Sequence, residues 1–397
     1  MQKEIMVQVK EPFAGEFRKG YPLVAKEAVA DQELLKIEGQ VMKLTDVHGR
    51  FIAKAYYGEQ NKGLGWVLTR DEEEIIDQAF FERKLATSFE RRADFFEDTE
   101  TTAFRVFHGE GDGIGGLTID YYDGFYLLSW YSAGIYAFKK MIVAALKNTA
   151  EFKGVYEKKR FDTKGQYMED DDFVTGERGE FPIIVKENSM NFAVYLNDGA
   201  MTGIFLDQRE VRRQIRDHYA YEKTVLNTFS YTGAFSVAAA LGGAMKTTSV
   251  DLAKRSSAKT IEQFSVNALD YENQEIRVMD VFNYFDYAKK NELKFDMVIL
   301  DPPSFARSKK YTFSAAKDYT KLMKDAIAIT SNKGMIVAST NNGSFGMKKF
   351  KEMIDKAFQE HGKRYMIVEE YRLPRDFHIN RMFKEGDYLK VLFIRLK

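Results

Sequence analysis

Apolar and polar positions change rhythm three times along the chain. Over about residues 1–70 the segment TDVHGRFIAKAYY places apolar positions such as Phe51 and Ala53 in alternation after a His48-Gly49 turn, as a hairpin requires, and predicts a small β-rich domain. Over about 71–185 the stretch DEEEIIDQAFFERKLATSFERR repeats Ile75, Ile76, Ala79, Phe80 and Leu85 at helical spacing, which predicts a helix. GDGIGGLTIDYYDGFYLLSWY then mixes turn glycines with strand residues, and EDDDF reads as an exposed acidic loop. Gly113, Gly115 and Gly116 are a turn first and a phosphate cradle second.

From about residue 186 strands and helices alternate: KTVLNTFS, a helix through AFSVAAALGGA, KTTSVDL, a helix through SSAKTIEQFSVNAL, then KFDMVILDPPSF. This alternation predicts a doubly wound parallel sheet with its ligand beyond the carboxyl ends of the strands. Three regions follow: 1–70, 71–185 and 186–397.

Composition narrows the chemistry. Lys plus Arg equals Asp plus Glu, 59 each, so nucleic-acid contact must come from local patches. There is no cysteine, which removes disulfides, thiolate metal sites and cysteine nucleophiles; no metal is expected. The N-terminal segment lacks the features of a signal peptide and no apolar run is long enough to span a bilayer, so a cytoplasmic protein without membrane contact is expected.

Acids recur at strand ends. Gly233 lies at the tight turn after VLNTF, and Asp251 ends the next strand eighteen residues later, where a carboxylate can accept both hydroxyls of a ribose. The full pyrophosphate-binding glycine fingerprint is absent, which disfavours a dinucleotide and suits a phosphate-free adenosine cofactor such as S-adenosylmethionine. Asp280 in RVMDVF ends the following strand within reach of an adenine amine. In VILDPPSFARSK, Asp301, Pro302 and Pro303 form a rigid loop able to hold a planar base, with Phe305 to stack on it. Beyond it, Arg307, Lys309, Lys310 and Lys317 supply phosphate contacts, with Tyr311, Phe313 and Tyr319 interleaved for stacking, and residues 345–397 carry an excess of positive charge.

These segments, with TGIFLDQREVR, SVDLAK and EGDYLKVLF, resemble the bacterial large-subunit (23S) ribosomal RNA methyltransferase I family over nearly the whole chain. The resemblance implies an α/β fold: a Rossmann-like class I methyltransferase domain, an N-terminal small β-barrel of PUA-like (RNA-binding) type and an α+β middle domain. It implies S-adenosyl-L-methionine as cofactor, 23S ribosomal RNA as partner, and admits a homodimer. Gln208 and Arg209 would line the methionine end, Phe229, Tyr231 and Gly233 the first loop, and Asp251 the ribose; Asp280 and Asp301 would flank adenine and the transferable methyl.

One departure matters. Members that methylate cytosine C5 use a cysteine after the strand following the Asp-Pro-Pro loop, and here that segment reads IVASTNNGSFGM. Without a thiolate the covalent route to C5 is lost, and Ser339 or Thr340 would be poor substitutes. The segment resembles instead the guanine-N7 half of the fused bifunctional rRNA enzyme. N7 carries an exposed lone pair and needs only positioning, with Asn341 and Asn342 reading the base. The alternatives are methylation of adenine N6 or guanine N2, and a catalytically silent RNA-binding assembly protein.

Overall fold

The structure is a computed structural model that describes residues 4–60, 63–161, 172–199, 201–307 and 312–397, without the Arg307 side chain. These divide into two compact units: residues 1–185, 195–202 and 375–386 form the first, and 186–194, 203–374 and 387–397 the second.

In the first unit, five strands lie in the order Ile5–Gln8, Val41–Thr45, Phe51–Tyr57, Gly63–Thr69, Leu23–Ala25. A Val9–Val29 bridge draws the two ends of this sheet together into a small barrel. The hairpin at Asp46–Arg50 forms as expected, with Gly49 at φ +76° and Asp46 Oδ1 accepting the His48 and Arg50 amides. The expected alternation does not hold, because Ile52 to Tyr57 are all buried. Ala53 and Ala55 face the barrel core, whereas Tyr56 and Trp66 join a second core with Phe107 and Phe138.

A second sheet runs in the order Phe173–Gly176, Gly154–Lys159, Phe125–Trp130, Leu117–Tyr122, Ala103–His108. The predicted helix begins late, at Gln78, because the Asp77 side chain caps it by accepting the Phe80 amide. Ile75 is consequently outside the helix and 58% exposed. The 113–116 glycines are structural: a Cβ on Gly115 would lie 2.1 Å from Trp66, and the Gly115 carbonyl accepts the Tyr56 hydroxyl at 2.7 Å. Of the acidic run, Asp172 is buried and ion-paired with Lys158; Glu169, Asp170 and Asp171 lie outside the described residues.

Elements of the second unit are numbered within it: β1 (Thr224–Thr228), α1 (Ala234–Leu241), β2 (Lys246–Asp251), α2 (Arg255–Ser265), β3 (Glu275–Val278), α3 (Val281–Lys290), β4 (Phe295–Leu300), α4 (Ala315–Ile329), β5 (Thr330–Thr340), α5 (Met347–His361), β6 (Tyr365–Tyr371) and β7 (Lys390–Leu396). The sheet order is β3-β2-β1-β4-β5-β7-β6. β1 to β5 pair in parallel, and β7 is antiparallel to both neighbours. β1 and β4 are buried along nearly their whole length, as strands covered on both faces must be. One face packs on α3, α4 and α5 through Phe285, Leu322 and Ile354; the other packs on α1 through Phe235 and Ala239.

The chain leaves β1 toward β2 and β3, then returns to β4 on the other side of β1. That reversal opens a crevice at the carboxyl ends of β1 and β4. Before β1, helix Arg209–Gln214 is anchored by a buried ion pair: Arg212 Nε and Nη2 each donate at 2.7 Å to Glu187, and both side chains are inaccessible. Among the described residues no helix is long and apolar enough to cross a membrane.

Because one partner alone would leave an uncompensated buried charge, Glu187→Gln should lower unfolding free energy by about 3 kcal/mol, whereas Glu187→Leu with Arg212→Met should recover much of that. Urea unfolding of the two variants checks this.

Candidate functional site

The loop after β1 has an unusual backbone. Phe229 and Tyr231 both take left-handed φ, +54° and +52°, a conformation costing about 1 kcal/mol for a residue with a side chain. The end of β2 holds it there. Asp251 Oδ2 accepts the Tyr231 amide at 2.9 Å, Oδ1 accepts the Ala253 amide at 2.8 Å, and the Val250 carbonyl accepts the Ser230 amide at 3.0 Å. Each Asp251 oxygen keeps a lone pair for a ligand hydroxyl. Gly233 opens α1 at φ +78°, and a Cβ there would lie 2.6 Å from Thr260 Cγ2. Glycine is therefore required on both counts.

Inward, the Phe229 ring packs 6.3 Å from both Phe282 and Phe313; Tyr231 packs 5.3 Å from Phe205. Asp280 is the N-cap of α3, its Oδ1 accepting the Phe282 and Asn283 amides. It stands at the third strand end, as the spacing requires.

Across the crevice stands Asp301. Gln208 Nε2 donates to Asp301 Oδ1 at 3.0 Å and to Ser339 Oγ at 2.8 Å. Burial pushes the Asp301 carboxyl up to about 6; the Asp207 carboxylate adds to this, while Ser339, Arg212 and Gln208 oppose it. Gln208 Oε1 is buried with no partner among the described residues. An orphaned acceptor beside a carboxylate fits a ligand ammonium, the group at the methionine end of S-adenosylmethionine. With Gly233 and Asp251 at the other end, the crevice fits that cofactor. Arg209 is buried at the same turn and ion-paired to Glu210 at 3.3 Å.

Pro302 is buried and Pro303 exposed at the head of the next loop. Ser304 Oγ donates to Asn341 Oδ1 at 2.7 Å, joining that loop to the one after β5. Asn342 Oδ1 accepts the Ser344 amide at 2.8 Å. Phe305 is 63% exposed on a short hairpin with Thr312–Ser314, and Lys317 is exposed on α4. Lys309, Lys310 and Tyr311 lie outside the described residues, as does the Arg307 side chain.

Two expected stacking residues are corrected. Phe313 and Tyr319 are buried in the core, where Tyr319 donates to the Ser339 carbonyl at 2.7 Å; their faces are covered by Phe282 and Phe350. The positive excess at the C-terminal end is partly neutralised, since Lys351, Lys356 and Arg372 are in ion pairs with Glu370, Glu360 and Asp387. Among the described residues no histidine bonds the Ser339 or Thr340 hydroxyl, and no acidic and histidine cluster could hold a metal.

Four participants carried no sequence signal. Glu187 and Arg212 look like surface charges, yet Arg212 also donates to the Phe205 carbonyl at 2.6 Å and so supports the wall of the crevice. Ser304 reads as a loop serine. Lys390, at the start of a strand, is buried beside Asn342.

Residues 104–378 match the family described as S-adenosylmethionine-dependent methyltransferase, and residues 7–70 match a PUA-like domain. The chain is 62% identical, over 99% of its length and 100% of the relative, to YwbD of Bacillus subtilis (strain 168), provisionally named a ribosomal RNA large subunit methyltransferase. It is 30% identical to ribosomal RNA large subunit methyltransferase I of Klebsiella pneumoniae, over 93% of each chain. Among solved structures, SMU.776, a provisionally assigned methyltransferase complexed with SAH, aligns with TM-score 0.90 and 40% identity over 100% of both chains.

Asp251→Ala should weaken S-adenosylmethionine binding by about 1.5–3 kcal/mol, roughly one to two decades, through loss of a charged acceptor. Calorimetry on the folded variant checks this, and unchanged affinity would remove Asp251 from the site.

Proposed function

The chain belongs to the S-adenosylmethionine-dependent methyltransferases that carry a PUA-like domain, and we propose that it methylates guanine N7 in 23S ribosomal RNA by direct in-line transfer. The ribosomal substrate rests on the relatives named for large-subunit RNA methylation, which the chain matches from end to end. In this reading residues 1–70 bind RNA, residues 71–185 form an α+β middle domain, residues 186–397 carry out the chemistry, and the protein works in the cytoplasm.

Gln208 and Asp301 hold the cofactor's methionine end beside Arg209. Phe229, Tyr231 and Gly233 shape its loop, Asp251 takes the ribose and Asp280 the adenine side. The bound cofactor supplies a methyl group on a sulfonium, ready for attack by a lone pair. The protein's task is to present N7 to it and exclude water. Asp301, Pro302 and Pro303 support the base edge-on, Phe305 stacks on its face, and Arg307, Lys309, Lys310 and Lys317 engage the backbone.

The observation that carries guanine is the orientation of the Asn342 amide. Asn342 Oδ1 accepts the Ser344 backbone N–H, so that amide has its NH2 hydrogens to offer, while Asn341 is held by the Ser304 hydroxyl. Such a donor suits the O6 acceptor of guanine and opposes the N6 amine of adenine. N7 attack releases no proton at the base, in keeping with a site that has neither thiol nor histidine base.

A specific observation favours guanine N2 as the second reading: the Asp301 carboxyl, poised near 6, could take the proton that an amine must lose. Incubation of the enzyme with labelled S-adenosylmethionine and 23S RNA from cells lacking the gene tests the choice. Label in 7-methylguanosine is expected; label in N2-methylguanosine or N6-methyladenosine, with none in 7-methylguanosine, overturns N7.

The Asp301 carboxylate is the form that accepts hydrogen bonds, and it predominates above about pH 6. The transfer rate should fall as pH drops through about 6, and Asp301→Asn should lose that limb along with most activity. A pH–rate profile between about pH 5 and 8 checks this.

A further inference from the structure

Lys390 opens β7 directly opposite Thr340, the last residue of β5. Its side chain runs inward and is 1% exposed. Nζ donates to the Asn342 carbonyl at 3.0 Å and to the Tyr388 carbonyl at 2.6 Å, and lies 5.5 Å from the centre of the Phe345 ring. Among the described residues no carboxylate comes within 4.0 Å of it. The Tyr388 hydroxyl in turn donates to Asp207 at 3.0 Å.

A buried ammonium without a counter-ion is costly before its hydrogen bonds are counted. Burial pushes this one down to about 8, against the pull of Asp387 and with the repulsion of Arg372. Methionine would fill the same space without that cost. What methionine could not do is hold two main-chain carbonyls, one of which belongs to a residue of the paired-asparagine loop.

We propose that Lys390 is a positioning residue for the substrate base, holding the Asn342 main chain from below so that the Asn342 amide is presented at a fixed angle. Asn342 is then fixed from two sides: Lys390 binds its carbonyl and the Ser344 amide binds its side-chain oxygen. A third tie, from Asn342 N to Thr340 Oγ1 at 3.3 Å, starts from the residue opposite Lys390. The lysine touches neither base nor cofactor in this arrangement; it acts through Asn342. The inference rests on the reading that the paired-asparagine loop faces the base.

The test is Lys390→Met in the full-length enzyme, assayed for total methyl transferred to protein-free 23S RNA. A fall in kcat of about tenfold is expected from loss of loop alignment, with the KM for S-adenosylmethionine within about twofold of wild type and a melting temperature at or above it. Lys390→Gln, shorter but still a donor, should fall between the two in kcat, and it decides the matter if the methionine variant does not fold. A folded variant with wild-type kcat, a loss of kcat matched by a loss of cofactor binding, or failure of both variants to fold would each overturn the role. Total methyl is counted whichever atom receives it. A failure of the N7 reading would therefore show in product identity and leave the rate comparison standing.

Discussion

Two backbone N–H groups, from Tyr231 and Ala253, converge on the carboxylate of Asp251 and tie the loop after β1 to the end of β2. Charge-assisted bonds of this kind are about twice as strong as neutral ones, enough to offset two left-handed non-glycine residues. With the backbone so turned, Phe229 points into the core against Phe282 and Phe313, and Tyr231 points toward Phe205. Thr232 then bonds the Gly203 carbonyl at 2.7 Å, which brings the segment before Gln208 to the crevice. Arg212, braced on Glu187, supports that segment from the far side through the Phe205 carbonyl.

On the other wall, a chain of side chains with few exposed ends sets the chemistry. Gln208 bridges Asp301 and Ser339, Ser304 bridges to Asn341, and Lys390 reaches Asn342. Low local dielectric strengthens the buried links, those of Gln208 and Lys390, and penalises any unpaired group there. Asp301 raised toward neutrality and Lys390 lowered from its usual range are two expressions of that environment. Such a wall is suited to holding a base still and supplies no strong nucleophile.

Much of this architecture is written locally. Gly233 and Asp251 announced themselves because a turn glycine and a strand-end acid sit a fixed distance apart in any α/β unit. The Asp-Pro-Pro loop is equally local, since proline fixes the backbone wherever it stands. Other features depend on contacts far apart in sequence. Glu187 and Arg212, or Lys390 and Asn342, become partners only when distant strands and helices meet. Charged residues read as solvated when the sequence shows no partner beside them, and Glu187, Arg212 and Lys390 are buried. Phe313 and Tyr319 erred in the opposite direction: their basic neighbours suggested a stacking face, but the sheet needed both rings in its core. Asp77 moved a helix start that apolar spacing had placed earlier.

Methylation of guanine at a ring nitrogen, the reaction we propose, leaves a positive charge on the product base. Borohydride reduction followed by aniline cleaves RNA at 7-methylguanosine and leaves amine-methylated bases intact. Applied to 23S RNA from cells with and without the gene, and read by primer extension, it should give one cut at a guanosine that is present only when the gene is. Uncut RNA from both strains, with a methyl group missing elsewhere in the deletion, would contradict the claim.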